Sequence, residues 1–301
     1  MSYNVQKAIQ MTLQYSDLFD FALTAPEIWR FLISKNPLSS MLFHKAITLP
    51  SAVFVQKKGY FCLPGRETLI SKRKNAIAEV KKKLKRAEDA ARLLSYIPSI
   101  LFIGISGGLA VGSASEVDDI DLFIITKQGS LFRTRLEVLA LLETMGQRRS
   151  RTDTTAPDKL CVNLLIDASR LHWPLAKQNI YTAHEIAQLY PLFDREDMYK
   201  KFLFANTWIT NFLPNSLEHT PRLAGSVWER KYYTLQVADA VLSCPPFSLI
   251  MKRLQMRSIV KHKTTEFVSN HLLAFHPNDY GTKILADFKK KSHNSGLLTK
   301  K

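Results

Sequence analysis

The segment SGGLAVGSASEVDDIDLFIIT, residues 106–126, constrains the fold more than any other part of the chain. It follows an apolar run that predicts a buried strand, and its small residues include Ser106, Gly107, Gly108 and Gly112. Without bulky side chains, backbone N–H groups can approach a ligand closely and form a concave anion site. The segment therefore predicts a phosphate-binding turn between two strands of an α/β unit.

A pair of aspartates stands on the second of these predicted strands. Asp119 and Asp121 are two residues apart, and side chains alternate across a strand, so both carboxylates are expected on one face. Ionised carboxylates beside apolar residues are costly unless a cation is present. Oxygen ligands suit Mg²⁺, which would bridge the oxygens of a nucleoside triphosphate. The alternative is a turn of small residues followed by surface aspartates.

These residues resemble the signature of the polymerase-beta-like nucleotidyltransferase superfamily, a pair of small residues followed by Asp-hydrophobic-Asp on the next strand. Gly107 and Gly108 match the pair, and residues 118–122 match the acidic strand. The resemblance implies that Asp119 and Asp121 hold Mg²⁺ and the nucleotide phosphates, while the glycine turn holds the triphosphate. The whole chain also resembles a bacterial group of nucleotidyltransferase-domain proteins that begin with a winged-helix-like region.

The chain departs from that family pattern at one position. Such enzymes usually add a third carboxylate from a later strand, and in LCVNLLID the corresponding position is Asn163. An amide can ligate a metal through its oxygen but supplies neither a negative charge nor a proton acceptor. Asp167 lies four residues further on and is expected to share the face of Asn163 and Leu165, so it could substitute if the strand extends that far.

The predicted fold class is α+β, with a nucleotidyltransferase-type mixed sheet and flanking helices. The predicted parts are a winged-helix-like domain (1–65), a basic connecting helix (66–98), a nucleotidyltransferase core (99–172), a helical C-terminal region (173–288) and a basic tail (289–301). Two interpretations of the first part stay open. In the first interpretation, Lys57 and Lys58 of a predicted hairpin contact nucleic acid. In the second, the domain only packs against the rest of the chain.

The charge of the chain favours anionic partners. Lys and Arg total 42 against 26 Asp and Glu, a formal charge of +16. Between residues 72 and 92 a predicted helix carries many lysines and arginines, which form either a solvated face or a phosphate-tracking surface for nucleic acid. A second basic amphipathic pattern covers residues 248–263, which predicts an edge helix, a membrane-surface helix or a nucleic-acid contact.

Other motifs exclude several classes of protein. Three cysteines without CxxC pairing argue against a disulfide framework or a zinc cage, and no export signal or transmembrane segment is predicted, so a cytoplasmic location is expected. His184 and Glu185 begin like a zinc-protease helix, but position 188 is Gln188, so a capping or packing role is expected for this pair, with a position lining the nucleotide cleft as the alternative.

The sequence thus predicts an enzyme that transfers a nucleoside monophosphate from an NTP to an unidentified acceptor with Mg²⁺. Asp119, Asp121 and Asn163 are the predicted catalytic residues, the two aspartates the metal ligands, and the small residues of the turn the nucleotide-binding positions. The alternative is a regulator or nucleic-acid-binding protein that keeps this fold with weak or no catalytic activity, because Asn163 replaces the third carboxylate.

Overall fold

A computed structural model describes residues 2–150, 153, 155–218, 233–261, 267–275, 280–295 and 297. The fold of this part is α+β, as predicted, with a large mixed sheet and a small antiparallel sheet. The helices are α1 (Ser2–Asp17), α2 (Ala25–Arg30), α3 (Ser40–Thr48), α4 (Thr68–Leu94), α5 (Gly107–Ala110), α6 (Leu131–Thr144), α7 (Ile180–Ala187), α8 (Met198–Ala205), α9 (Tyr233–Ser243), α10 (Pro245–Lys261) and α11 (Tyr280–Asn294). The strands are β1 (Leu23–Thr24), β2 (Val55–Lys57), β3 (Tyr60–Cys62), β4 (Ile100–Ile105), β5 (Ile120–Thr126), β6 (Leu160–Asp167), β7 (Tyr190–Asp194), β8 (Phe267–Val268) and β9 (Leu272–Ala274).

The large sheet has the strand order β7-β4-β5-β6-β9-β8. Its central pair, β5 and β6, is parallel and is joined through α6, since parallel neighbours need a crossover connection. The other neighbouring strands are antiparallel. One face of the sheet packs against α4 and α6, and the other packs against α1, α7, α8 and α11. Burial on both faces explains why β4 and β5 are nearly continuous apolar runs.

A β-bulge interrupts the pairing of β5 with β6 at Asn163. Leu122 is opposite Val162, but the next residue, Phe123, is opposite Leu164. Asn163 is therefore the extra residue of β6, and a bulge of this kind changes the direction of the side chains that follow it. Leu164 accordingly packs on the same face as Phe123, whereas Val162 packs on the opposite face.

This bulge overturns the expectation that Asn163, Leu165 and Asp167 share a face. Leu165 belongs to the cluster on the side of α4 and α6, whereas Asn163 hydrogen-bonds Asp121 on the other side. The strand does reach Asp167, but that carboxylate is buried and accepts hydrogen bonds from the backbone N–H groups of Gly129 (2.6 Å) and Ser169 (2.9 Å). Asp167 is thus used in local structure and does not substitute for a third carboxylate.

The N-terminal part combines α1–α3 with the small sheet, whose strand order is β1-β3-β2. The hairpin that the sequence predicts around Lys57 and Lys58 has a tight turn, because Lys58 (φ 53°) and Gly59 (φ 82°) both take the left-handed conformation that a two-residue hairpin of this type requires. Glu27 accepts a hydrogen bond from Thr24 N (2.7 Å) and pairs with Arg73 of α4 (2.6 Å). This part of the chain therefore packs against the rest, and its winged-helix-like character stays a prediction.

The region 173–288 is not only helical. It supplies β7, which pairs with β4, and β9, which pairs with β6. These strands are too short for a clear alternating pattern. Pro191 also weakens the sequence signal for β7, and a proline is tolerated there because β7 is at the edge of the sheet. In addition, α11 runs to Asn294, so the first residues of the predicted basic tail 289–301 are helical.

Several basic side chains of helix α4 form ion pairs with carboxylates of the same chain. Lys82 pairs with Asp158 (2.9 Å), and Lys85 pairs with Asp89 (2.8 Å). Lys83 is fully buried, so for this residue both the solvated-face and the phosphate-tracking interpretations are wrong. Among the described residues, no helix is both long enough and apolar enough to cross a membrane.

Candidate functional site

A cavity of about 970 Å³ lies between the end of the large sheet, the helices α1 and α2, and α7. Its lining includes Ser106, Gly107, Gly108, Asp119, Asp121 and Asn163. The fold therefore brings together six of the seven positions that the sequence singled out. The seventh, Gly112, is outside the lining and occupies a left-handed conformation (φ 79°) in the turn that follows α5.

The glycine turn is held directly against the acidic strand. Ser106 N donates a hydrogen bond to the carbonyl oxygen of Asp121 (3.0 Å). Gly107 has φ 68°, and a Cβ placed there would lie 3.0 Å from Oδ2 of Asp121. A Cβ on Gly108 would lie only 2.6 Å from the carbonyl oxygen of Ser113. Glycine is thus required at both positions, at the first for backbone conformation and at the second for space.

Gly108→Ala is expected to displace the turn, because its Cβ meets a backbone carbonyl that cannot rotate away. We expect a loss of about 1–3 kcal/mol in the free energy of unfolding, together with weaker nucleotide affinity if the turn holds phosphate as the sequence predicts. Gly112→Ala is the matched control, since a Cβ there meets nothing within 4 Å. The control should lose about 1–2 kcal/mol through its left-handed backbone alone and keep its nucleotide affinity. Denaturant unfolding and nucleotide titration measure both effects, and equal affinities for the two variants would contradict the proposed role of the turn.

The two predicted carboxylates converge on one point of the cavity. Asp119 precedes β5 and Asp121 is inside it, and one ligand atom from each, with Sγ of Cys161, lie within 4.8 Å of one another. Cys161 joins this group because it is the register partner of Asp121 across the parallel pair. Burial, with the nearby charge of Asp119 second, raises the pKa of Asp121 to about 7. Asp121 is therefore not fully ionised at neutral pH unless a cation is bound nearby.

Two neighbours moderate that charge. Arg149 forms an ion pair with Asp119, and the Asn163 side chain hydrogen-bonds Asp121. No motif pointed to Arg149, which reaches the site because its backbone N–H donates to the carbonyl oxygen of Leu160 (3.0 Å), the first residue of β6. Such a contact depends on tertiary structure and leaves no local sequence signal.

The donor set fits a hard divalent cation. Asp119 and Asp121 offer carboxylate oxygens and Asn163 offers an amide oxygen, which are ligand types that Mg²⁺ accepts. Burial, followed by the charges of Asp121 and Asp119, raises the pKa of the Cys161 thiol to about 12. That thiol stays protonated at neutral pH, so it does not supply the thiolate that favours zinc.

Helix α7 contributes a further carboxylate to the cavity. His184 is buried, stacks on the ring of Tyr15 (centroids 3.8 Å apart) and contacts the Ile180 carbonyl oxygen through Nδ1 (2.9 Å), as expected for a packing role. His184 and its neighbour Glu185 both line the cavity, and burial raises the pKa of Glu185 to about 7. The sequence had singled out this pair only through the failed zinc motif, with packing as the expected role and a position lining the cleft as the alternative.

Comparisons with known proteins found no match: no family model, no curated protein and no solved structure is similar to this chain at the significance required.

Proposed function

We propose that this protein binds a nucleoside triphosphate with Mg²⁺ and transfers its nucleoside monophosphate to an acceptor hydroxyl. The observation that carries the proposal is the convergence of Asp119 and Asp121 beneath a turn that admits only glycine at Gly107 and Gly108. The resemblance of these residues to nucleotidyltransferases, and a cavity large enough for a nucleotide, support it.

The residues of this chain would act mainly by positioning the triphosphate and by balancing its negative charge. Asp119 and Asp121 would hold the divalent ion, which supplies neutralising charge to the triphosphate when bound. Backbone N–H groups of the glycine turn would hold phosphate oxygens, and Asn163 would orient Asp121 through its hydrogen bond. The acceptor oxygen bonds to the α-phosphorus, the bond from that phosphorus to pyrophosphate breaks, and the acceptor proton leaves to a base.

Asn163 favours a second candidate function, nucleotide binding without efficient transfer. Its amide touches Asp121 where the related enzymes carry a carboxylate, and an amide does not accept the acceptor proton. In this case the protein would be a nucleotide-binding regulator. A nucleic-acid contact through residues 72–92 has less support, because Arg73, Lys82, Lys83 and Lys85 pair with carboxylates.

Titration calorimetry with Mn²⁺ and ATP, CTP, GTP or UTP tests the proposal. We expect wild-type protein to bind at least one triphosphate, and chelation of the metal to abolish binding. Asp121→Asn should weaken metal-dependent binding roughly tenfold or more, since it removes one charged ligand. Glu143→Gln is the matched control, because that exposed carboxylate pairs with Arg148 (3.0 Å) away from the cavity. The proposal would be overturned if triphosphate binds equally well with and without metal, and equally well to wild-type protein and to Asp121→Asn.

A further inference from the structure

Four aromatic rings form an arc along one side of the cavity. The ring centroids of Tyr15 and Phe19 are 5.3 Å apart, those of Phe19 and Tyr280 are 6.3 Å apart, and those of Tyr280 and Tyr181 are 6.4 Å apart. All four residues line the cavity. We call them the aromatic arc. Tyr15 comes from α1, Tyr181 from α7 and Tyr280 from α11, and Phe19 lies in the turn that follows α1. The arc therefore exists only where these three helices meet.

The close approach of α11 to α7 fixes one end of the arc. A Cβ on Gly281 would lie 3.0 Å from Cδ1 and 3.2 Å from Cε1 of Tyr181. The backbone of α11 therefore rests directly on the Tyr181 ring, beside Tyr280. This contact places both tyrosines at the cavity wall.

Glu185 lines the same cavity as the aromatic arc and acts electrostatically on three of its residues. Its charge acts on the hydroxyl groups of Tyr15, Tyr181 and Tyr280, and contributes to raising the pKa of each of them. Within the described part of the chain, no hydrogen bond or ion pair to the Glu185 carboxylate is found. A carboxylate that lines the same cavity as these rings, without an ionic partner, is suited to a cation supplied by a ligand.

The other charges of the cavity do not neutralise Glu185. Arg30 also lines the cavity, but its Nη2 donates to the Ala187 carbonyl oxygen (2.6 Å), and it is not among the groups that shift the pKa of Glu185. Glu27 and Asp119 each have an arginine partner, Arg73 and Arg149 respectively. Glu185 thus has no cationic partner among the described charged residues that line the cavity.

Aromatic faces and a carboxylate together recognise organic ammonium ions. The ring quadrupole attracts the cation, the carboxylate balances its charge, and burial strengthens both effects. Nucleic acid is the wrong ligand for such a surface, because its phosphates would be repelled by Glu185 and by any aspartate without bound metal.

We propose that the aromatic arc and Glu185 form the acceptor subsite, and that it takes a small organic cation bearing a hydroxyl group. The assignment as an acceptor subsite rests on the proposed nucleotidyl transfer, whereas the recognition of the cation does not. The hydroxyl would be the group that receives the nucleotide, and the ammonium group would hold the molecule against Glu185 and the rings.

Choline and its uncharged isostere 3,3-dimethylbutan-1-ol are the probes. They share shape and hydroxyl group and differ in the positive charge. We expect wild-type protein to bind choline at millimolar concentration, as measured by titration calorimetry, and to bind the isostere about tenfold more weakly or not at all. Glu185→Gln, which keeps the shape of the side chain, should weaken choline binding about tenfold. Glu143→Gln should leave it unchanged.

Metal-dependent triphosphate binding is measured on the same variants, so that the two proposals fail separately. Choline binding that depends on Glu185, without triphosphate binding, supports the cation site and overturns the proposed transfer. Triphosphate binding without choline binding overturns the cation site alone. Equal affinity for choline and the isostere also overturns it, because charge would then not be recognised. If Tyr181→Ala weakens triphosphate binding while choline does not bind, the arc holds the nucleobase and the acceptor proposal is wrong.

Discussion

Replacing Lys83 by alanine is expected to lower the free energy of unfolding by about 3–5 kcal/mol, since it breaks a buried ion pair and leaves its partners without a cation. The Lys83 ammonium bonds Oδ1 of Asp158 (2.7 Å) and the carbonyl oxygen of Asp118 (2.7 Å), and it is 3.5 Å from Glu79 Oε1. Its side chain is completely inaccessible to solvent. Denaturant unfolding measures the effect.

Lys81→Ala is the matched control on the same helix, because Lys81 is exposed. Its free energy of unfolding should change by about 0.5 kcal/mol or less. If Lys83→Ala does not fold, the double variant Lys83→Met, Asp158→Asn removes both charges and should recover part of the lost stability. Equal effects of Lys81→Ala and Lys83→Ala would contradict the structural role of the buried ammonium.

The effect of Lys83 extends to the candidate site. By binding the Asp118 carbonyl, Lys83 holds the backbone immediately before Asp119. We therefore expect a folded Lys83 variant to bind divalent metal more weakly, although Lys83 is outside the cavity lining. The helical pattern alone places Lys83 among the exposed cations of a basic helix. It does not predict this contact, because Asp158 lies 75 residues further along the chain.

Asn163→Asp is expected to raise metal-dependent turnover about a hundredfold, if the missing third carboxylate limits the proposed transfer. Asn163 already contacts Asp121, so an aspartate at the bulge would bring a third carboxylate to the pair. The variant should release pyrophosphate from Mg²⁺-bound triphosphate faster than wild-type protein does, with water or choline as acceptor. Pyrophosphate release is the measurement.

The same variant has an opposite effect without metal. A third carboxylate would repel Asp121, whose pKa burial and Asp119 already raise to about 7. Metal-free Asn163→Asp protein should therefore lose about 1–3 kcal/mol of stability, and added Mg²⁺ should restore it. Asn163→Ser is the control, because it removes the amide without adding charge. Unchanged turnover together with no metal-dependent stabilisation would contradict the assignment of this position.

Much of the fold could be predicted from local patterns. The long apolar runs of β4 and β5 and the helical periodicity of α4 and α6 are strong signals, because each element buries a regular set of side chains. The strands β7, β8 and β9 could not be predicted, since elements of two to five residues carry too few positions to define a period. Their pairing partners stabilise them, and for β7 and β9 those partners, β4 and β6, are distant in the chain.

The sequence by itself determined the chemistry at one end of the cavity. Gly107, Gly108, Asp119 and Asp121 are close in the chain, so strand alternation and glycine geometry suffice to bring them together. Only the tertiary structure decided what surrounds them. The bulge that turns Asn163 towards Asp121, the ion pair of Arg149 with Asp119, and the meeting of Glu185 with the aromatic arc all depend on contacts between distant segments. The physical reason is that local sequence limits backbone conformation over a few residues, whereas burial and charge pairing depend on which elements the whole chain packs together.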